Sequence, residues 1–274
     1  MRYGVIADIH ANLPALETVT AALERERVDA YVCAGDLVGY GPQPNECVEF
    51  VRTLEAVSVA GNHDLIALGT LSTDRCERLA RESLLWTREV LNEATRSYLA
   101  GLPLRAELPG GIVVAHGSLD DPQEYVLRVE QAAVQLGRLA EVHPAARLLV
   151  VGHTHRAFAT DGERPSPRLG TRRCIGLAGT HRWLLNPGAV GQSREARLRA
   201  RFMVLDLEQQ EATFNAVHYD VRRSRALLGA ERLPTRSLHL PPWRLKALLR
   251  PALRPMVQLR NRVRRRWAQL GSNQ

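Results

Sequence analysis

Aromatic residues are scarce. Phe, Trp and Tyr make up 5% of the 274 positions, against 45% hydrophobic residues overall. Aliphatic packing must therefore dominate the interior. Cysteine is nearly as sparse: Cys33, Cys47, Cys76 and Cys174 are widely spaced and form no CxxC pair. That excludes a cysteine-based zinc site and a disulfide framework, and buried free thiols in a reducing cytoplasm are expected instead. No run of 18 apolar residues occurs, so no membrane-spanning helix is expected. The opening "MRYGVIADIH" runs directly into a strand-like pattern and lacks the apolar core of a signal peptide. Acid is missing from the last stretch. From Arg236 onward there are ten Lys and Arg and no Asp or Glu. The whole chain carries a net +8, so residues 1–235 carry −2. The expected division is a near-neutral body, 1–235, and a basic tail, 236–274.

Short apolar runs alternate with helix-period segments in the body. "YGVIA" (3–7), "AYVCA" (30–34), "VSVA" (57–60), "GIVVA" (111–115) and "RLLVV" (147–151) read as strands. Helices are expected over "NLPALETVTAALERE", over "NECVEFVRTL", and across 76–100 and 123–141. "RFMVLDL" and "ATFNAVHY" read as a hairpin turning at 208–211. Residues 161–173, rich in Pro and Gly, read as a loop. The alternation implies an α/β fold built on a largely parallel sheet, in which ligands bind at the carboxyl ends of strands.

Five strands end in polar residues: Asp8 and His10, Asp36, Asn62 and His63, His116, and His153 and His155. At Gly61 a glycine is expected to permit a tight turn. Each segment alone is a weak signal, since a strand-end histidine or an Asn-His-Asp turn is common. Their strength lies in delivering oxygen and imidazole groups, and no thiolate, to one end of one sheet. Such ligands suit a borderline divalent metal: Mn²⁺, Fe²⁺, Ni²⁺ or Zn²⁺, with Mn²⁺ placed first. Eight ligand-type residues are too many for one ion and suit two. Two ions about 3.5–4 Å apart can clamp an in-line displacement at phosphorus. Asp36, central in chain order, is the natural bridge.

"DIH" (8–10), "GDLVGYGP" (35–42), "GNHD" (61–64), "VAHGS" (114–118) and "GHTH" (152–155) together resemble the calcineurin-like metallophosphoesterase superfamily. "NPGAVGQ" (186–192) and "HGSLDDPQEY" resemble a bacterial and archaeal phosphodiesterase-like branch of it. The resemblance spans about Arg2 to Asp220. It implies a four-layer α/β/β/α sandwich. It also implies one metal held by Asp8, His10, Asp36 and His155, and a second held by Asp36, Asn62, His116 and His153. The nucleophile would be a hydroxide bridging the metals, and His63 the proton donor to the leaving oxygen or a stabiliser of charge at it. Asp64 either orients His63 or shapes the turn. The protein Ser/Thr phosphatases of the superfamily carry "GDxxDRG" and "RGNHE"-like motifs whose arginines grip the phosphoryl group. Here Gly39-Tyr40 replaces the Asp-Arg pair and Ala60 precedes Gly61. Asn12, Tyr40 and Arg156 are the candidate substrate contacts.

The expected function is therefore hydrolysis of phosphodiesters, with phosphomonoesters as a further class and a nucleotide-like substrate. Protein dephosphorylation, dinucleoside polyphosphate hydrolysis and a non-catalytic scaffold are the alternatives. Retention of every ligand and of His63 argues against the scaffold. Residues 241–270 place Leu245, Leu248, Leu249, Met256, Leu259, Val263, Trp267 and Leu270 near one helical face, interrupted by Pro251 and Pro255. A basic amphipathic helix of this kind has three uses: packing on the body or a second subunit, lying on an anionic membrane, or binding nucleic-acid phosphates. A cytoplasmic location is expected, peripheral at the membrane if the second use holds.

Overall fold

The structure is a computed structural model and describes residues 1–241. The amphipathic face read in the tail lies outside those residues. In chain order the elements are β1 (Arg2–Ile6), α1 (Leu13–Arg25), β2 (Ala30–Cys33), α2 (Pro44–Thr53), β3 (Val57–Ser58), α3 (Asn62–Leu68), α4 (Arg78–Val90) and α5 (Glu93–Ala100). Then follow β4 (Arg105–Leu108), β5 (Ile112–Ala115), α6 (Val129–Val142), β6 (Leu148–Val150), β7 (Phe158–Thr160), β8 (Arg172–Gly176), β9 (Trp183–Asn186), β10 (Ala200–Asp206), β11 (Glu211–Val217) and α7 (Val221–Ala230). A 3₁₀ turn at Thr235–Leu238 closes the series.

Two mixed sheets form, not one largely parallel sheet. The first has the order β3-β2-β1-β10-β11-β8, the second β4-β5-β6-β9-β7. Parallel pairing is confined to β1-β2-β3 and β5-β6-β9, and every other pair is antiparallel. Period-two alternation explains how both faces of each sheet become apolar. Tyr3, Val5, Met203 and Leu205 meet Ile112, Val114, Leu148 and Val150 between the sheets. Ile6, Phe202 and Val204 turn the other way, onto α1, α2 and their neighbours. Val113, Leu149 and Leu184 turn onto Ala132, Leu136 and Leu139 of α6. The result is the four-layer α/β/β/α sandwich.

Several boundaries differ from expectation for identifiable reasons. The helix expected over 76–100 is two, because Asn92 caps α5 by accepting from the Thr95 N–H at 2.8 Å. The helix expected from 123 begins at Val129, and residues 123–128 instead form a loop that lines a cavity. Residues 161–171 carry the chain from β7 in one sheet to β8 in the other and do not line that cavity. Of the cysteines, Cys33 and Cys47 are buried, Cys76 is half-buried and Cys174 is exposed. No helix among the described residues is long and apolar enough to cross a membrane.

Candidate metal centre

All five strands expected to end in ligand-type residues do so, and their ends converge. β1, β2 and β3 come from one sheet, β5 and β6 from the other. The loops are joined by backbone hydrogen bonds: Asp8 N–H to Gly35 O (3.0 Å), His10 N–H to Asp36 O (3.0 Å) and Gly152 N–H to His116 O (2.7 Å). Turning two nearby ligands inward demands unusual backbone. Asp8, His10, Asp36, His153 and His155 all lie in the left-handed region, with φ between 49° and 66°. Such conformations are unfavourable for residues with a Cβ and tend to cluster at functional sites. They explain how an Asp-x-His and a His-x-His pair can each aim both side chains at one point. Gly61 is different. Its φ of −92° is ordinary, so no tight turn requires the glycine. A Cβ there would lie 2.1 Å from Asp36 Oδ1, and it is close approach that excludes a side chain.

Two groups of ligand-type atoms result, each within 4.8 Å: Asp8, His10, Asp36 and His155; and Asp36, His116 and His153. Asp36 belongs to both. Asn62 joins the second through Oδ1, 3.2 Å from His116 Nε2. Every one of these residues is buried. The hydrogen bonds around the imidazoles fix their use. Nδ1–H donates to a backbone carbonyl in His10 (Val38, 3.1 Å), His116 (Ala34, 2.7 Å) and His155 (Gln192, 2.8 Å). This arrangement aims each Nε2 lone pair inward, as metal-ligating histidines require. His10 Nε2 and His155 Nε2 then face one another at 3.0 Å. Two lone pairs at that distance repel unless a cation lies between them. Asp8 Oδ2, Asp36 Oδ2 and His153 Nε2 are buried with no hydrogen-bond partner, a costly condition that cation binding would relieve. The donor set and its orphaned atoms fit divalent cations.

Electrostatics in the protein alone tell the same story. Burial holds His10, His153 and His155 well below the ordinary imidazole range, so they are neutral and able to ligate. Burial raises Asp8 to about 7. Burial alone would lower His116, but the charge of Asp36, 3.2 Å from its Nε2, lifts it to about 9. Burial would likewise raise Asp36, and the adjacent His116 and His63 more than cancel this. A proton on His116 thus occupies a position that a metal ion would contest.

His63 belongs to neither ligand group, but it lines the cavity above them. Its Nδ1 packs against Gly39, where a Cβ would come within 2.4 Å, leaving Nε2 as the nitrogen facing the cavity. The Asp64 carboxylate makes no hydrogen bond to the His63 ring. One carboxylate oxygen accepts from Leu37 N–H (2.9 Å) and Val38 N–H (3.1 Å), the other from Gly61 N–H (2.9 Å). Of the two uses open to Asp64, the geometry matches turn shaping: it ties the Asp36 loop to the Asn62 loop. Asp64→Asn sets an amide N–H against one of those donors. The expected result is a loss of about 1–3 kcal/mol of stability and about 10- to 100-fold weaker metal binding. Thermal unfolding and metal titration check it. A fall in turnover with both quantities unchanged would return Asp64 to the reaction itself.

Of the three candidate substrate contacts, Tyr40 is buried and lines the cavity. Asn12 and Arg156 do not line it. The Asn12 amide is committed elsewhere: Nδ2 donates to Gly191 O (2.9 Å), and Oδ1 accepts from Ser224 in α7 (2.8 Å). Arg156 is exposed. The cavity measures about 840 Å³. Sequence reasoning missed three of its features: the apolar wall of Leu79, Leu127 and Leu240; Tyr125, as a wall residue; and the buried Arg194. Arg194 lies in the loop eight residues past the end of β9, a strand too short to be read from its pattern, and no strand-end signal marks it. Leu240 belongs to a segment, 236–241, that the sequence division assigned to the tail. Here it pairs with Ser193 through Ser193 N–H to Leu238 O (3.1 Å) and Leu240 N–H to Ser193 O (3.0 Å).

Comparison with known proteins agrees with this geometry. The sequence model of the calcineurin-like phosphoesterase superfamily domain matches residues 1–210. An uncharacterised protein of Methanocaldococcus jannaschii is 32% identical over 236 residues, spanning 84% of this chain and 93% of that protein. The crystal structure of a metallophosphoesterase from Sphaerobacter thermophilus is 35% identical, with a TM-score of 0.75 over 87% of this chain and 98% of that one. A symmetrical bis(5'-nucleosyl)-tetraphosphatase of Stutzerimonas stutzeri shares 42% identity over 76 residues, 26% of this chain and 27% of that enzyme.

Proposed function

The chain belongs to the calcineurin-like phosphoesterase superfamily, and on that premise we propose that it is a phosphoester hydrolase working with two divalent cations. Asp8, His10, Asp36 and His155 would hold one; Asp36, Asn62, His116 and His153 would hold the other. The single observation carrying this reading is the pair of buried ligand groups sharing Asp36, with imidazole lone pairs aimed inward and carboxylate oxygens unpartnered. When bound, such ions supply Lewis-acid activation of water and neutralise charge at phosphorus. Manganese is the first choice among ions that accept oxygen and imidazole ligands.

The chain's own residues do the rest. His63 presents Nε2 to the cavity. Burial holds its imidazole down to about 4, so it takes up a proton beside the negative charge of the bound ester and passes that proton to the leaving oxygen. Asp64 keeps the loops of Asp36 and Asn62 in register. Leu79, Leu127 and Leu240 give an apolar wall for the organic part of the ester. A nucleotide-like ester is the second, narrower reading. It is favoured by that wall beside the ligand groups and Arg194, and by the local identity to a dinucleoside tetraphosphatase.

Metal-stripped protein given Mn²⁺, Ni²⁺, Zn²⁺ or Mg²⁺ provides the test, with an aryl phosphodiester and the matching monoester side by side. Turnover is expected to vanish with chelation and return with Mn²⁺, alongside a rise in thermal midpoint. Two ions bound by elemental analysis, with neither ester turned over, would refute the reading.

A further inference from the structure

Arg194 is a buried arginine without a carboxylate. Its side chain is 8% exposed, and no Asp or Glu lies within ion-pair distance among the described residues. An arginine cannot shed its charge when buried. Left unpaired, a buried charge is costly, so something must compensate it. Two neutral groups hold the guanidinium. Nε donates to Gln192 Oε1 (3.2 Å), and Nη1 donates to the Tyr125 hydroxyl (3.0 Å).

Each anchor also touches a ligand histidine. The Gln192 carbonyl accepts from His155 Nδ1, and the Tyr125 ring tilts over the His153 ring with centroids 4.1 Å apart. The backbone beside Arg194 is fixed by the pairing of Ser193 with residues 238–240. The guanidinium is thus set in register with both ligand groups and faces their shared cavity. This is a built position for a fixed cation at the cavity.

The loop at 35–42 has Gly39-Tyr40 where related phosphatases place an Asp-Arg pair, so no arginine reaches the cavity from there. Arg194 supplies a cation from a different loop. A phosphodiester offers two unesterified oxygens and one negative charge. A terminal phosphoryl group offers three oxygens and close to two charges at neutral pH. A fixed planar guanidinium gains most from the group with more charge and a spare oxygen.

We propose that Arg194 binds a terminal phosphoryl group and sets the specificity of the site, so that phosphomonoesters and terminal phosphates are preferred over diesters. The proposal rests on the phosphoesterase reading and reverses the order of substrates expected from the sequence.

The test is calorimetric titration of the metal-loaded protein with inorganic phosphate, paired with kcat/KM for an aryl monoester and the matching diester. Arg194→Gln is expected to weaken phosphate binding about 10- to 100-fold with metal content unchanged. It should lower the monoester-to-diester ratio by a similar factor, mostly through KM. Arg194→Lys should recover part of the loss. Tyr125→Phe, at a partly exposed loop position, should weaken phosphate binding a few-fold, and it decides the matter if the buried substitution does not fold. Phosphate binding unchanged in Arg194→Gln, or an equal loss on both esters, overturns the proposal. Wild-type protein that binds phosphate through Arg194 yet hydrolyses neither ester supports the anion site while the hydrolase reading fails.

Discussion

Asp36→Asn should leave the chain folded and remove both ligand groups together. Asp36 is the one residue common to them. Its Oδ1 accepts from the His63 backbone N–H at 2.8 Å, a bond that an amide oxygen keeps. Its Oδ2 faces His116 Nε2 at 3.2 Å and His10 Nε2 at 3.6 Å with no hydrogen-bond partner. An amide there is neutral and a poor ligand. The loss of metal affinity should therefore exceed the about 10- to 100-fold seen when an outer partner is removed. Elemental analysis should find neither ion retained.

The stability signature separates this outcome from misfolding. A ligand present at 100 times its Kd adds about 2.7 kcal/mol to a folded state. Wild-type protein should show a metal-dependent rise of that order, and the variant almost none. Without metal the variant should still be the less stable protein at neutral pH, by an amount that added metal does not change. The Asp36 charge repels Asp8 and Asp64, but it also compensates the charge of His116, and its carboxyl is held well below the ordinary range, so the folded state favours it ionised. Melting curves with chelator and with Mn²⁺, for both proteins, give four midpoints. A variant that keeps both ions and the full metal response would remove Asp36 as the bridge.

Much of the site was legible because its signal is local. An apolar run followed within a few residues by Asp, His or Asn is visible without knowing which strands pair. Five such endings located Asp8, His10, Asp36, Asn62, His116, His153 and His155, and the structure brings all of them together. What was not legible depends on distant parts of the chain. Asn12 read as a substrate contact, but its amide is satisfied by Gly191 and Ser224, more than 170 residues away. Arg194 acquires its meaning only when residues 125 and 192 arrive beside it. Strand–helix alternation alone pointed to one sheet, and the two-sheet arrangement came only with the resemblance, for a related reason. β8, "RRCIG", is an exposed edge strand with no apolar alternation, and β9, "WLLN", is four residues long. The break at Asn92 was available in principle, since an asparagine before a helical segment is a capping signal. It was masked by continuous amphipathic spacing on either side.

The second large effect concerns His63, and it depends on the leaving group. His63→Ala should retain both ions, because the side chain is in neither ligand group and its backbone N–H still reaches Asp36. The ring packs edge-on to His10, with centroids 4.7 Å apart, and beside Tyr40 at 4.8 Å. With Nδ1 closed off by Gly39, it has one nitrogen for the reaction and a fixed direction for it. A positioned proton donor contributes about 10²–10⁴-fold to a rate. That contribution matters only when the departing oxygen needs a proton. An alkyl alkoxide needs one, whereas a nitrophenolate leaves readily without it. Turnover of an alkyl ester should therefore fall by about 10²–10⁴, with a much smaller loss for the nitrophenyl ester and little change in KM for either. If His63 instead only stabilised charge on the phosphoryl oxygens, both esters would lose rate equally, since those oxygens are common to them. If it served to hold a metal, ion content would fall first. A flat response across leaving groups with both ions retained would exclude His63 as the proton donor and leave it charge stabilisation alone.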